Sequence, residues 1–228
     1  MQPYIFPYIG YFQLINAVDK FIFYDDVNFI KRGWINRNRI LLNGKDTLVT
    51  IPLIKASQNK LINEISLFSD EKMKENLISK IENAYKKAPY YDEVISLIRK
   101  IINADISNIG NYAANSIISV SNYLEINTKF YFSSIQSPES KGMYKADRLI
   151  HICKKFGEDQ YINTIGGQEL YTKKYFDNNQ IDLSFIKTLD FEYKQFNHQF
   201  IPFLSVIDVL MFNSKNNTKE MLTKYQLV

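Results

Sequence analysis

Residues 1–26, MQPYIFPYIGYFQLINAVDKFIFYDD, decide how the rest of the chain is read. Pro3 and Pro7 break the apolar run, so the first residues form an aromatic loop. Gly10 to Val18 then fits a short helix, with Phe12, Ile15 and the Ala17/Val18 pair turned inward. Lys20 to Tyr24 is short and apolar, as a buried strand is, and Asp25-Asp26 ends it. Loop, helix and strand in this order suit an α/β fold.

The following stretch, WINRNRILLNGKDTLVTIPLI, reads as a β-hairpin about Asn43-Gly44, because a type I′ turn needs positive φ at both central residues. The middle of the chain is helical, an insertion over about residues 70–125. Ser69 is placed to cap its first helix, with Met73, Leu77, Ile81 and Ala84 on one face and Pro89 beyond its end. Val94, Leu97, Ile98 and Ile101 mark a second helix, and Ile109, Ala113, Ile117, Val120 and Leu124 a third. KFYFSS returns as a strand. Ser134 to Lys145 is polar and serine-rich, as a loop or lid is. A helix to Phe156, the strand QYIN, a helix from Gln168 to about Asn178 and the strand IDLSFI then make a strand–helix–strand unit, which implies a parallel pair. Short helices follow near 204–211 and 215–224. The expected architecture is one α/β domain over residues 1–228, with a Rossmann-like mixed or parallel sheet, a β-hairpin and the helical insertion.

Composition sets limits. The chain has 228 residues, 46% hydrophobic and 23% charged, with a net charge of +4. These values fit a globular protein and argue against disorder. The basic residues are scattered, apart from Lys31 to Arg39, so no nucleic-acid stripe is present. One cysteine, Cys153, allows no intrachain disulfide, which fits a reducing compartment. No apolar run approaches the ~20 residues that span a bilayer. A cytoplasmic location is expected, with no membrane span. Nothing in the sequence sets an oligomeric state.

The candidate chemistry is not metal-based: two histidines and one cysteine form no HExxH, CxxC or EF-hand spacing. Cys153 falls in line with Leu149 and Phe156 and reads as core. His151, four residues after Asp147, reads as an exposed pair. Asp25 and Asp26 stand where ligands collect in open α/β sheets, at the carboxyl end of a strand. A carboxylate there can orient a hydroxyl or act as a base. In the strand after Trp34, alternation puts Asn36 and Asn38 in an apolar row, where a buried amide must find partners. Either main chain or a ligand satisfies them. Lys31 and Arg37 supply cations for a phosphate or carboxylate. Gly166-Gly167, with Asn163 just before, opens a helix and suits either an anion or a plain turn. His198, Ser205 and Asp208 are close in sequence. Ser205 and Asp208 read as an exposed polar face, and His198 as a lone proton-transfer group.

Taken together, the opening 40 residues, IPLIKASQNKLINEI, YINTIGGQELY and FIPFLSVIDVLMFN resemble the WbqC family over nearly the whole chain. The resemblance implies a surface-glycan pathway of the O-antigen kind, and transfer of glycine or another acyl group to a sugar. The layout from Tyr8-Ile9-Gly10-Tyr11 to KFIFYDD is also similar to the amino terminus of HIGH-type nucleotidyltransferases, with tyrosines in place of both histidines. That likeness implies a nucleotide approaching Gly10, and a basic loop at Lys55 within reach of its phosphate.

The expected function is therefore a cytoplasmic transferase acting on a sugar or sugar nucleotide, with a nucleotide or activated acyl donor. Gln2, Tyr8 and Tyr11 would line the pocket. Asp25, Asp26 and His198 would serve the chemistry. Lys31, Arg37 and Lys55 would hold an anion, with Trp34, Asn36, Asn38 and Asn163 giving specificity. The alternatives are a nucleotidyltransferase-like enzyme and a non-catalytic subunit of a glycan pathway.

Overall fold

The structure, a computed structural model, describes residues 1–68, 70–197 and 199–228. Helix α1 (Ile9–Asn16) buries Phe12 and Ile15 completely. Strand β1 (Lys20–Phe23) follows, with Phe21 and Phe23 buried. Strands β2 (Arg37–Leu42) and β3 (Lys45–Thr50) form an antiparallel pair. Between them Asn43 and Gly44 have φ of 52° and 72°, as a type I′ turn requires. Strands β4 (Leu53–Ile54) and β5 (Ser66–Leu67) make a second, shorter antiparallel pair.

The helical insertion lies where the apolar spacing puts it: α2 (Glu71–Tyr85), α3 (Tyr91–Ile102) and α4 (Ile109–Tyr123). Leu77, Ile81 and Ala84 of α2 are buried, as are Val94 and Ile98 of α3 and Ile117 and Val120 of α4. Ser69, the expected cap of α2, lies outside the described residues. The Asp70 carboxylate accepts the Met73 N–H at 2.7 Å and caps the helix, satisfying one of its unpaired amides.

Strand β6 (Lys129–Phe132) pairs with β1 in parallel, Lys20 opposite Lys129. Phe21, Phe23, Phe130 and Phe132 pack together across this pair. The serine-rich stretch beyond it is not a free lid. Helix α5 (Ser133–Gln136) and a 3-10 turn at Pro138–Ser140 order it. Ser137 and Ser140 are buried, because the Ser140 hydroxyl donates to the Ser137 carbonyl and accepts from Arg148.

Helix α6 (Lys145–Lys155) leads to β7 (Gln160–Thr164), α7 (Lys173–Asp177) and β8 (Asp182–Thr188). Strands β7 and β8 are parallel, as the strand–helix–strand reading requires. The helix between them is shorter than expected, since a 3-10 turn at Ile165–Glu169 takes up its first residues. Helices α8 (Val206–Phe212) and α9 (Lys215–Met221) precede β9 (Tyr225–Leu227), antiparallel to β8. Cys153 joins Leu149, Phe176, Leu183 and Phe185 in a small second core.

The protein is thus a mixed α/β fold of several small sheets. The expected single Rossmann-like sheet is not formed among the described residues: β6-β1 and β7-β8-β9 are separate sheets. The edges of β1 and β7 line a common cavity of about 160 Å³, with Leu14 and Val18 from the α1 side and Ile152 and Cys153 of α6. Met1 pairs with β1 at the carboxyl end of that edge. Its nitrogen donates to the Ile22 carbonyl at 2.9 Å, and its carbonyl accepts the Tyr24 N–H at 2.7 Å. No helix among the described residues is long and apolar enough to cross a membrane.

Candidate functional site

Strand β1 ends in a buried acid pair. Asp25 and Asp26 are 3% and 6% exposed, so each must find partners inside the protein. Asp26 finds a cation. Arg148 of α6 donates from Nη2 to both carboxylate oxygens, at 2.8 and 2.6 Å. Its Nε donates to Ser140 Oγ at 3.0 Å, and its guanidinium lies 4.6 Å from the Tyr24 ring centre.

Asp25 is held differently. Ser134 donates to it twice, from Oγ at 2.6 Å and from the backbone N–H at 3.1 Å, and Asn63 Nδ2 donates at 3.3 Å. The Ser133 hydroxyl sits between the two carboxylates, nearer Asp26 at 2.5 Å than Asp25 at 3.3 Å. Asp25 therefore has only neutral donors, one of them the N–H of Ser134 in the first turn of α5. Gln2, the next residue after Met1, turns its side chain to Tyr4, whose hydroxyl donates to Gln2 Oε1 at 3.4 Å.

The opening loop is stitched down by polar side chains. Asn38 Nδ2 donates to the carbonyls of Ile5 and Phe6 at 3.1 and 2.8 Å, and its Oδ1 accepts the Arg39 N–H. Asn36 Nδ2 donates to the Ile51 carbonyl at 2.8 Å. Main chain satisfies both amides, so the argument that a ligand completes them is corrected. Tyr11 is likewise a core residue rather than pocket lining. It is 2% exposed, and its hydroxyl donates to the Gln2 carbonyl at 2.7 Å. Burial pushes its pKa well above the usual tyrosine range. Gly10 has a packing reason: a Cβ there would stand 2.3 Å from the Tyr8 ring. Tyr8 fills the space that the nucleotidyltransferase likeness reserves for a nucleotide.

Other expected residues lie apart from the acid pair. Trp34 is exposed, with the guanidiniums of Arg37 and Arg39 at 5.8 and 5.7 Å from its ring centre. Arg37 is turned back on its own loop, donating to the carbonyls of Gly33 and Arg32. Lys31 and Lys55 are exposed. Asn163, at the carboxyl end of β7, accepts the Thr164 N–H at 2.8 Å. A Cβ on Gly167 would fall 2.8 Å from the Asn163 amide, so that glycine permits close packing, whereas Gly166 faces open space. His198 lies outside the described residues.

The model of the WbqC-like protein family matches residues 2–220. The chain belongs to the WbqC-like family. An uncharacterized protein of Mycobacterium tuberculosis is similar to it, 28% identical over 219 residues that cover 93% of this chain and 91% of that protein. No solved structure matches.

In this WbqC-like chain the tail motif is buried, not an exposed polar face. Ser205 and Asp208 are both 0% exposed, because α8 is covered on all sides. Ser205 Oγ donates to the Phe6 carbonyl at 2.8 Å and accepts the Ile207 N–H at the helix start. Asp208 accepts from Tyr85 Oη at 2.8 Å, Tyr193 Oη at 2.6 Å and Gln195 Nε2 at 2.7 Å. Burial raises its pKa against these hydrogen bonds. His151 bonds Glu139 at 3.1 Å rather than Asp147, whose carboxylate accepts from Tyr175. No group of three metal-ligating side chains stands together among the described residues.

Sequence reasoning missed Arg148. The signal was present, since Arg148 stands four residues before the buried Ile152 and so on an inward face. Ser133 and Ser134 were read as strand end and loop. Their placement beside Asp25 follows only from the β1–β6 register, which the sequence does not state.

Proposed function

We propose that this chain is a transferase of surface-polysaccharide biosynthesis, moving an acyl or aminoacyl group such as glycyl onto a hydroxyl or amine of a sugar or sugar nucleotide. One observation carries the reading. Two adjacent buried carboxylates end a parallel strand, and only Asp26 is neutralised by a cation. Asp25 is held by neutral donors alone. A carboxylate so placed can take a proton from an acceptor group that displaces Ser134 Oγ.

In this reading the acceptor oxygen or nitrogen attacks the carbonyl carbon of an activated donor, a thioester or an acyl adenylate. The acceptor's proton passes to Asp25, and the thiolate or AMP leaves with the bonding pair. Asn63, bonded to Asp25, orients the acceptor. Arg148 positions Asp26 and thereby Ser133.

The test is the purified protein with acyl thioesters or acyl adenylates and amino sugars or sugar nucleotides, read by product mass. An added acyl mass is expected, and Asp25→Asn should lower the rate by about 10²-fold or more while the fold is kept. Full activity in Asp25→Asn sinks the assignment. Pyrophosphate release from a nucleoside triphosphate without acyl transfer would favour the nucleotidyltransferase-like alternative, against which the Tyr8 ring over Gly10 argues. A second reading, a ligand-binding or assembly subunit, is favoured by the fact that both oxygens of Asp25 are already bonded. It requires ligand-induced stabilisation without turnover.

A further inference from the structure

The loop that leads into β2 is not used by the acid pair. Residues 27–45 hold five cations, Lys31, Arg32, Arg37, Arg39 and Lys45, and no carboxylate. The whole chain has a net charge of +4, so its positive charge is concentrated here and the remainder is close to neutral. The loop is held in one shape. Ile35 is fully buried beneath it, and the Ile35 carbonyl accepts the Ile5 N–H at 3.1 Å. The Gly33 N–H closes a turn on the Ile30 carbonyl at 3.1 Å. Arg37 donates to the carbonyls of Gly33 and Arg32. Lys31 and Arg32 stand exposed on the turn, Arg32 with a φ of 59°. Among the described residues the salt bridge of this segment joins Arg39 to Asp46, which leaves the charges of Lys31 and Arg32 uncompensated.

Large apolar side chains stand in water around Arg39. Trp34 is 41% exposed, its ring centre 5.7 Å from that guanidinium. Leu48 is 42% exposed and stands opposite Arg39 in the β2–β3 register. Phe203 is 67% exposed, and its carbonyl accepts from Arg39 Nη2 at 3.4 Å. Ile30 is exposed at the start of the turn that leads to Trp34. Single exposed apolar residues need no explanation, whereas a cluster of them rimmed by charge marks an interaction surface. The composition selects the partner. Tryptophan is favoured at the boundary between headgroup and acyl chain, and lysine and arginine are drawn to anionic headgroups while their stems lie along apolar surface. A protein partner disfavours lysine at its interface, and a nucleic acid calls for a longer stripe of cations.

We propose that this face, with Ile30, Trp34, Leu48 and Phe203 at its centre and Lys31 and Arg32 on its rim, docks the protein on an anionic lipid bilayer. The apolar side chains enter the headgroup boundary and the two cations pair with lipid phosphates. The surface goes beyond the transfer chemistry proposed at Asp25 and does not depend on it.

Trp34 is the only tryptophan of the chain, so its emission reports on the face directly. Vesicles of phosphatidylcholine and phosphatidylglycerol in equal parts should shift that emission to the blue, saturably, in the full-length protein. Vesicles of phosphatidylcholine alone should bind roughly tenfold more weakly, and high salt should weaken the anionic vesicles towards the same level. Inorganic phosphate, which has no apolar part, should give no shift. Lys31→Gln combined with Arg32→Asn should lose roughly tenfold on anionic vesicles, asparagine being tolerant of the positive φ at position 32. Phe203→Asn, which leaves the cations in place, should weaken binding several-fold. Asp25→Asn should bind as the wild type does, which separates failure here from failure of the transfer reading. The proposal is overturned if anionic vesicles give no saturable shift, if phosphatidylcholine alone binds as tightly, or if either surface variant binds undiminished. A blue shift that grows with protein concentration in the absence of lipid would make the face a contact between copies of this chain, and would overturn it too.

Discussion

Arg148 Nη2 lies 2.6 Å from Asp26 Oδ2, with both side chains buried. This pair ties the first turn of α6 to the end of β1, two elements more than a hundred residues apart in the chain. Breaking a buried pair from one side strands the other charge, which typically costs about 3–5 kcal/mol. Arg148→Met should lower stability by that order in urea unfolding. The double variant Arg148→Met with Asp26→Asn should recover part of the loss, because no bare charge remains. Equal losses in single and double variants would show that packing, not charge, dominates.

Asp208 anchors the segment that runs from β8 to α8. Asp208→Ala leaves Tyr85 Oη, Tyr193 Oη and Gln195 Nε2 without their shared acceptor. A loss of about 3 kcal/mol is expected in denaturant unfolding, from several stranded donors at once.

The same carboxyl sets a pH dependence. Burial raises its pKa in the folded protein above the ordinary 3.8. The folded state therefore binds more protons than the unfolded state just above pH 3.8, and stability falls as pH rises through that interval. Urea midpoints of the wild type and Asp208→Asn across this range should differ by an amount that shifts against the wild type as pH rises, the background from other carboxylates being common to both.

Gly10→Ala tests the packing account of that glycine. The new Cβ would sit 2.3 Å from the Tyr8 ring, so the ring must swing away. Overpacking of this kind costs about 1–3 kcal/mol. The melting temperature should drop, and a neutral effect would contradict the close approach.

Cys153 should be slow to react. Burial pushes its thiol up to about 11, so little thiolate exists near pH 8. Alkylation of the folded protein should be about two orders of magnitude slower than of the unfolded chain. Rapid native labelling would mean that the cavity between β1 and β7 opens.

Much of the local structure was legible because it rests on local rules. Asn43-Gly44 specifies its turn through φ alone, and the apolar spacing of Leu77, Ile81 and Ala84 faces a helix inward without outside information. Long-range polar partners were not legible. Asn36 and Asn38 looked unsatisfied because their acceptors, Ile51, Ile5 and Phe6, lie on other elements. Asp208 looked exposed because a helix face is called polar from its residues, and nothing in α8 itself reveals Tyr85 and Tyr193 approaching from outside. The acids at 25 and 26 were visible as a pair, yet their division into a neutralised Asp26 and an uncompensated Asp25 depends on Arg148, 122 residues away.

The most direct measurement is the mass of the surface glycan in a strain that lacks this chain, complemented with wild type or with Asp25→Asn at matched protein level. The account predicts that deletion removes one acyl or aminoacyl mass from the glycan, that wild type restores it, and that Asp25→Asn does not. A glycan mass unchanged by deletion, or restored by Asp25→Asn, would contradict it.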